Sequence, residues 1–450
     1  MSSESSAPSD PTGSAPWAQP GITALSDAGA FLDTLRSRAS LVFYSADGDV
    51  GYPRASPIHH LRGQGASVSA SIVAATPPPP ELVAYHRGLG LGPERLYCPA
   101  RLRAGAPLAK LVLDDPALVD RIRRDPQLRQ IVLAFKDNSA ERLLGALGLA
   151  PAYCAPQAFA YEAANDKFEF ARAGAHYGFP TLPMEQVDDP AALEPAFRSL
   201  AEIYGAGCVL RLRRGAGGEH VYHARSLPAA RHAWRRLRAR GALLVVARVP
   251  AELVLREVAA HGIATKTGFR PLVFSEQILQ GYRFRGSRVT REWSEKEIRA
   301  ISSALEGITR WLQDIGYVDA PVGVDGFLMG GPEGTRFVAI DPNVRMTGTM
   351  GPWAVMAALS EMAGKGFIWQ TEHFAMLGPA ITFPWLRTRL GADLLDAARL
   401  EQGGILPSLI SPPWVGPFGI SRLRVILLAH DAHHLTYLRR RVRRLGLLVR

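Results

Sequence analysis

Short apolar runs alternate with helical patterns in the first third of the chain. Ser40–Tyr44 is a β-rich run that ends in a polar turn, and Ile131–Phe135 is a second compact apolar run. A polar loop follows the second run, and Ala140–Leu147 then has the spacing of a helix. Strands that alternate with helices are typical of a parallel sheet. The pattern therefore predicts an α/β domain over residues 22–150.

The next hundred residues combine helical and strand patterns on a smaller scale. Asp166–Tyr177 and Pro190–Tyr204 have helical spacing, whereas Cys208–Leu212 and Leu243–Val249 are strand-like. A glycine cluster follows the first of these strands. This mixture predicts a small α+β unit over residues 151–250.

The third region, residues 251–450, contains the clearest helix and a hairpin. Ser294 and Glu297 form a capping box, and apolar residues follow at steps of three and four. This single apolar stripe predicts a helix packed on a sheet. Val322–Met329 and Thr335–Asp341 are two strand patterns around a Gly-Gly-Pro-Glu-Gly loop, which predicts a β-hairpin.

Composition places the chain among globular proteins and indicates the cellular compartment to expect. Of 450 residues, 47% are hydrophobic and 21% are charged, which excludes a disordered or collagen-like chain. No apolar stretch approaches the roughly 18 residues of a membrane span. Residues 1–21 are rich in Ser, Pro, Ala and Gly and lack the apolar core of a signal peptide, so we interpret them as a disordered tail. We therefore expect a cytoplasmic protein with reduced cysteines and no membrane partner.

The net charge of +11 raises the question of a polyanionic partner. Only six of the 52 basic residues are lysine, a bias more typical of a GC-rich genome than of phosphate recognition. The basic end of the chain, Arg439–Arg450, interleaves arginine with apolar residues, as in a helix or strand with one buried side. We expect no nucleic-acid partner, and strong salt-dependent retention on DNA would contradict this expectation.

The predicted hairpin has acidic residues where a buried strand would have apolar ones. The expected turn would place Asp325 opposite Ala339, with Asp341 as its diagonal neighbour on the same face. Alternation along the second strand projects Asp341, Asn343 and Arg345 together. Two carboxylates and an amide suit Mg²⁺, which prefers oxygen ligands and leaves sites for water and phosphates. The alternative is a solvated hairpin face with incidental acids.

Together these motifs resemble those of the ATP-grasp ligases. Ile340–Arg345, with Val324–Phe327 before it, is similar to the family's metal-binding end, where an acid-x-Asn-x-Arg strand follows an earlier acidic strand. Asn165–Lys167 resembles the opening segment, whose lysine contacts the nucleotide phosphates. Val209–Leu212 and the glycines after it resemble the second nucleotide strand and its flexible loop. The resemblance covers about residues 150–350.

The resemblance implies an α/β fold with a Rossmann-like pre-grasp domain followed by a two-lobed ATP-grasp domain of the α+β type. We expect the pre-grasp domain at residues 22–150 and the small lobe at residues 151–250. The large lobe, with a C-terminal extension, would occupy residues 251–450. Within that extension, Gly419–Val425 resembles peptide-ligase members that have a comparable N-terminal unit.

The resemblance also implies a role for each matching residue. A magnesium ion, for which Mn²⁺ can substitute, would be bound by Asp325, Asp341 and Asn343. Arg345 and Lys167 would be catalytic, because they would stabilise the charge on the transferring phosphate. The residues expected to bind ATP are Lys167, Arg211, Gly215, Gly217, Gly218, Val246, Val249 and Glu257.

The family's reaction joins a small-molecule or peptide carboxylate to an amine. ATP converts the acid to an acyl phosphate, and the amine then displaces phosphate to form an amide, with ADP as the other product. Ammonia or a thiol as the acceptor is a second hypothesis. A homo-oligomer is compatible with the sequence.

Three positions differ from the family pattern and leave a non-catalytic alternative open. Arg211 stands where a lysine is usual, and Asp341 stands where a glutamate is usual. The hinge Val245–Val249 lacks the acidic residue that usually lies beside the adenine. The alternative hypothesis is a binding or scaffold protein that keeps the fold without turnover, and it predicts that Asp341→Ala preserves function.

Overall fold

A parallel sheet forms the N-terminal part of the protein. The computed structural model describes residues 25–43, 67–101, 106–215, 220–280, 283–290, 293–331, 334–377, 380–411 and 420–449. The elements of this first part are α1 (Leu25–Arg36), β1 (Ser40–Phe43), β2 (Ser71–Val73), α2 (Pro80–Gly88), β3 (Arg95–Tyr97), α3 (Leu108–Leu113), α4 (Pro116–Arg123), β4 (Gln130–Leu133), α5 (Asn138–Leu147) and β5 (Ala150–Ala152). The strand order is β3-β2-β1-β4-β5, and all neighbours pair in parallel. This confirms the predicted parallel sheet.

Local sequence explains where the helices of this sheet begin. Asp115 and Asp137 precede α4 and α5, and each carboxylate accepts a hydrogen bond from a backbone N–H of the first helical turn. All four residues of β1 are buried, which is typical of a strand covered on both faces. Strand β5 spans the position at which the sequence placed the end of the domain. The predicted tail, residues 1–21, lies outside the described residues.

A small antiparallel sheet follows. Its region comprises α6 (Ala158–Ala164), α7 (Lys167–Tyr177), β6 (Met184–Val187), α8 (Pro190–Tyr204), β7 (Cys208–Leu212), β8 (Tyr222–Ala224), α9 (Leu227–Leu237) and β9 (Leu243–Ala247). The strands have the order β6-β9-β7-β8. Helices α8 and α9 bury their apolar sides against one face, which leaves the other face toward the large sheet.

A large antiparallel sheet contains the remaining strands. Its region comprises β10 (Val254–Thr265), β11 (Gly268–Gln280), β12 (Arg283–Val289), α10 (Glu295–Asp314), β13 (Ala320–Met329), β14 (Arg336–Asn343), α11 (Met350–Ala363), β15 (Ile368–Leu377), α12 (Phe383–Leu390), β16 (Gly404–Ser411), β17 (Ile420–Ala429), α13 (Ala432–Arg443) and β18 (Leu448–Val449). The strand order is β14-β13-β10-β11-β12-β15-β17-β16, with β18 beside β15. The C-terminal strands thus extend the sheet that carries the predicted hairpin.

The helix predicted after Ser294 is confirmed, whereas the basic end of the chain, expected as a helix or strand, contains the end of α13 and strand β18. Helix α10 has the capping box: Glu297 N donates to Ser294 Oγ, and Ser294 N donates to Glu297 Oε2 at 2.8 Å. The basic helix α13 buries Leu435, Leu438 and Val442, and its half-buried Arg439 and Arg441 form ion pairs with acidic residues of the large-sheet region. Among the described residues, no helix is long and apolar enough to cross a membrane.

The parallel sheet and the large sheet share one hydrophobic core. Phe31 of α1 stacks on Trp353 of α11, with ring centroids 6.4 Å apart, inside a cluster that includes residues of both parts. Near the carboxyl end of β4, Ala134 O accepts a hydrogen bond from Met346 N, which follows β14. The end of the hairpin is therefore anchored to the carboxyl edge of the parallel sheet, where open α/β folds bind ligands.

Removing the cap of α10 should destabilise the protein measurably. Ser294→Ala deletes the hydroxyl that accepts from Glu297 N, so we expect the free energy of unfolding to fall by about 1 kcal/mol. Ser302→Ala, on an exposed position of the same helix, should leave stability unchanged or raise it slightly. Urea denaturation followed by circular dichroism would measure both variants. Equal stability of the two would contradict the importance of the cap.

Candidate functional site

Two carboxylates face each other across the hairpin of β13 and β14. Asp325 pairs directly with Asp341, and the register shifts between Asp325 and Gly326, which pairs with Ala339. The expected register, with Asp325 opposite Ala339, was therefore wrong. The bulge leaves Ile340 as an extra residue on β14, which turns the predicted diagonal neighbours into a direct pair.

The environment of Asp325 opposes its ionisation. Burial, together with the negative charge of Asp341, raises the pKa of Asp325 to about 6. Hydrogen bonds from the Asn343 and Gln277 side chains act in the opposite direction, and Asn343 Nδ2 donates to Asp325 Oδ2 at 2.8 Å. Gln277 was missed by the sequence analysis. Gln277 belongs to no recognisable sequence motif, and only its position on β11 brings its side chain close to Asp325.

Arg345 extends the same cluster beyond the end of β14. Its guanidinium donates from Nη2 to Asn343 Oδ1 at 2.6 Å, and only 8% of the residue is exposed. Asn343 thus connects the two residues, because it accepts a hydrogen bond from Arg345 and donates one to Asp325. The structure brings together Asp325, Asp341, Asn343 and Arg345, as the motif predicted.

Two cations of the small sheet region meet at Asp341. Lys167 Nζ lies 2.9 Å from Oδ1, and Arg211 Nη2 donates to Oδ2 at 2.9 Å. Lys167 is almost fully buried and also donates to Gly215 O at 2.6 Å. Because a buried charge is costly without a partner, Asp341 compensates the charges of both Lys167 and Arg211. Lys167 and Arg211, for which the resemblance implies nucleotide binding, thus both contact the acidic hairpin.

A second ion-pair network fixes the start of α7, where Lys167 is located. Arg213 Nε lies 2.8 Å from both carboxylate oxygens of Asp166, which also caps the helix. The same guanidinium donates to Gln186 and Glu169. Sequence reasoning missed Arg213, although its place two residues after Arg211, just beyond the end of β7, was a usable signal. The network positions Lys167 by holding its backbone.

A hydrophobic cluster adjoins the charged cluster. Val246 is buried with residues of both sheets, and the half-buried Val249 and Phe327 pack against the same cluster. Glu257 pairs with Phe327 across β10 and β13, and burial raises the pKa of its carboxyl group. Val246 and Val249 therefore belong to one apolar cluster, and Glu257 lies beside Phe327 of the same cluster. Of the predicted glycines, Gly215 is described, whereas Gly217 and Gly218 lie outside the described residues.

The oxygen groups of the hairpin fit a hard divalent cation. Asp341 Oδ1 is buried and, among the described residues, contacts Lys167 without hydrogen-bond geometry. Asp325 and Asp341 repel each other unless a positive charge lies near both. The described residues contain no cluster of three or more His, Cys, Asp or Glu side chains that could hold a metal. A cation here would thus use two carboxylates and an amide, a set that suits Mg²⁺ with its remaining water or phosphate ligands.

No family model matches the sequence, and no curated protein sequence matches it significantly. Solved structures match nearly the whole chain. The L-amino acid ligase from Bacillus licheniformis aligns with a TM-score of 0.51 and 11% identity over 91% of this chain and 98% of that chain. An N5-carboxyaminoimidazole synthase from Aspergillus clavatus, solved with ADP and 5-aminoimidazole ribonucleotide, aligns with a TM-score of 0.51 and 14% identity over 91% and 100%.

A third match has another activity. The biotin carboxylase domain of the 2-oxoglutarate carboxylase from Hydrogenobacter thermophilus, solved with MgADP, ADP and bicarbonate, aligns with a TM-score of 0.50 and 13% identity over 87% of this chain and 86% of that chain. The chain therefore has the ATP-grasp fold with an N-terminal domain, as the motifs predicted. At these identities, the likeness concerns the fold.

Neutralising Asp325 should stabilise the ligand-free protein at high pH. Its folded pKa of about 6 exceeds the usual 3.8, so the charged form is disfavoured by folding above pH 6. Asp325→Asn keeps an acceptor for Asn343 and should raise the free energy of unfolding by about 1–3 kcal/mol at pH 8. The gain should shrink at pH 5 and vanish only below about pH 3, where Asp325 is protonated in both states. Denaturation at these pH values, in EDTA, would measure it. A gain that is independent of pH would contradict the assignment.

Proposed function

We propose that this protein is an ATP-dependent carboxylate–amine ligase that releases ADP and phosphate. The supporting observation is the convergence on Asp341: an opposed carboxylate from the same hairpin, and two cations from the small sheet region. Such an arrangement combines a cation site with positive side chains for phosphates. The ATP-grasp fold and the solved ligases that share it make this chemistry the best-supported one.

In this proposal Asp325, Asp341 and Asn343 hold Mg²⁺, with Mn²⁺ as a substitute. When bound, the ion neutralises negative charge on the β- and γ-phosphates of ATP. The amide oxygen of Asn343 already accepts a hydrogen bond from Nη2 of Arg345 and has a second lone pair for the ion. Arg345 thus orients the amide that would complete the ligand set.

Lys167 and Arg211 exchange partners when nucleotide binds. In the ligand-free protein both cations neutralise Asp341. With a metal ion held by Asp341, Lys167 and Arg211 would become available for phosphate oxygens. Arg211 replaces the usual lysine with a planar group that can contact two oxygens at once. The apolar wall of Val246, Val249 and Phe327 receives the base, and backbone groups of the hinge provide its hydrogen bonds.

The chemical steps need positioning and charge stabilisation more than acid or base catalysis. A carboxylate oxygen of the acid attacks the γ-phosphorus, the bond to the bridging oxygen breaks, and ADP leaves. Arg345 and Lys167 stabilise the negative charge on the transferring group. The lone pair of the amine then attacks the acyl carbon, the bond to phosphate breaks, and the proton from nitrogen passes to water. An amide and phosphate are the products.

The site can be tested by asking whether nucleotide binding depends on both the metal ion and the hairpin. Asp341→Asn removes a charge but little volume, so we expect the affinity for Mg²⁺ with a non-hydrolysable ATP analogue to fall at least about tenfold. In EDTA the variant should bind the analogue at least as well as the wild type, because Lys167 and Arg211 lose their competing carboxylate. Isothermal titration calorimetry measures both conditions.

Asp120→Asn, on the exposed side of α4, is the matched control and should bind like the wild type. Equal loss of affinity for Asp341→Asn with and without magnesium would speak against a metal on the hairpin. No binding by the wild type at millimolar nucleotide would favour the scaffold hypothesis instead.

The identity of Arg211 can be tested separately. Arg211→Met removes the charge beside Asp341 and should weaken binding of the magnesium–nucleotide complex by about tenfold or more, since charge-assisted hydrogen bonds contribute about 1.5–3 kcal/mol. Arg211→Lys restores the charge and should recover most of the affinity. If the methionine variant binds as well as the wild type, Arg211 does not contact phosphate.

Products identify the reaction. Pools of carboxylic acids and amines, incubated with MgATP, should yield ADP, phosphate and a new C–N bond that mass spectrometry detects. A thioester or primary amide would instead indicate a thiol or ammonia as the acceptor. Release of AMP and pyrophosphate would contradict the acyl-phosphate reaction.

A further inference from the structure

A buried histidine lies beneath the loop that carries Arg345. His261 on β10 is 2% exposed, and its two ring nitrogens lie 3.0 Å from hydroxyl oxygens, Nε2 from Ser275 Oγ and Nδ1 from Thr347 Oγ1. Burial lowers the pKa of His261 to about 3, so the ring is neutral near neutral pH. Either hydroxyl can donate or accept, which satisfies both nitrogens in either tautomer.

The sheet leaves room for this contact at one position. His261 pairs with Gly323 on β13, and Gly323 pairs in turn with Asn343 on β14. A Cβ atom on Gly323 would lie 2.5 Å from Thr347 Cγ2 and 3.0 Å from His261 Nδ1. The absence of a side chain at Gly323 thus lets Thr347 reach His261 directly above the hairpin.

Thr347 is one of two fixed points on the loop after β14. The other is Met346, whose backbone N–H donates to Ala134 O of the parallel sheet at 2.8 Å. Arg345 lies immediately before both and reaches back to Asn343. The backbone that carries Arg345 is therefore held by the parallel sheet through Met346 and by the large sheet through Thr347.

We infer that His261 is a positioning residue, which acts through Thr347 to hold Arg345 over the site of phosphoryl transfer. Polar groups buried without partners are costly, and an apolar side chain would fill this part of the core at lower cost. The histidine is useful here because it connects Ser275 of the sheet to Thr347 of the loop. This inference deepens the proposed function and depends on it.

The matched variants Thr347→Val and Thr347→Ser separate the hydrogen bond from packing. Valine keeps the shape of threonine without the hydroxyl, whereas serine keeps the hydroxyl. The probe is MgADP with aluminium fluoride, which mimics the transferring phosphoryl group, compared with MgADP alone. We expect Thr347→Val to weaken the fluoroaluminate complex at least tenfold and to leave MgADP affinity within twofold. Thr347→Ser should match the wild type for both ligands.

A second variant reaches the same contact from the opposite strand. Gly323→Ala retains every polar group but displaces Thr347, so it should produce the same selective loss. Thr388→Val, at an exposed position of α12, should change neither affinity. Melting temperatures identify any variant that fails to fold, and whichever of Thr347→Val and Gly323→Ala still folds then carries the comparison. An effect on MgADP as large as that on the fluoroaluminate complex would indicate general disruption and overturn the inference.

Arg345→Ala distinguishes failure of this inference from failure of the proposed function. If the alanine variant loses the fluoroaluminate complex while Thr347→Val binds like the wild type, the inference is wrong and the proposed function stands. If the wild type binds neither MgADP nor the fluoroaluminate complex, both are wrong.

Discussion

The ion pairs of Asp341 with Lys167 and Arg211 connect the two sheets on which the site is built. The three groups are largely buried, and each would be costly to bury alone. The attraction of Asp341 for both cations holds the small sheet region against the acidic hairpin. The same ion pairs couple the site to ligand binding. A cation that binds Asp341 competes with Lys167 and Arg211, and an anion that binds these two side chains competes with Asp341.

The negative charges of the two acids in the hairpin are compensated to different degrees. Asp341 has two cationic partners, whereas Asp325 is buried beside another carboxylate and is stabilised by amide groups. A divalent cation would relieve the repulsion between the two acids, and that is the physical basis for the proposed magnesium site. The oxygen set alone does not distinguish Mg²⁺ from Mn²⁺, since both accept carboxylate and amide oxygens.

The loop after β14 gives the N-terminal domain a direct connection to the site. The backbone of Met346 is hydrogen-bonded to the end of β4, and the hydroxyl of Thr347 is hydrogen-bonded to His261 of the large sheet. The shared core of α1 and α11 keeps these parts together. Arg345 belongs to a short motif, yet its position depends on three regions of the sequence: its own hairpin, the end of β4 and strand β10.

The sequence by itself determined the local elements and the identity of most candidate groups. Strand alternation, the capping box of α10 and the acid-x-Asn-x-Arg pattern depend on neighbouring residues, so they can be read without a structure. Tertiary structure alone decided the direct pairing of Asp325 with Asp341, since a one-residue bulge changes a register without leaving a clear sequence signal. It also brought Gln277 and His261 into place and joined Arg211 to Asp341 across 130 positions. Such contacts depend on how the sheets pack, because side chains far apart in sequence have no local pattern to relate them.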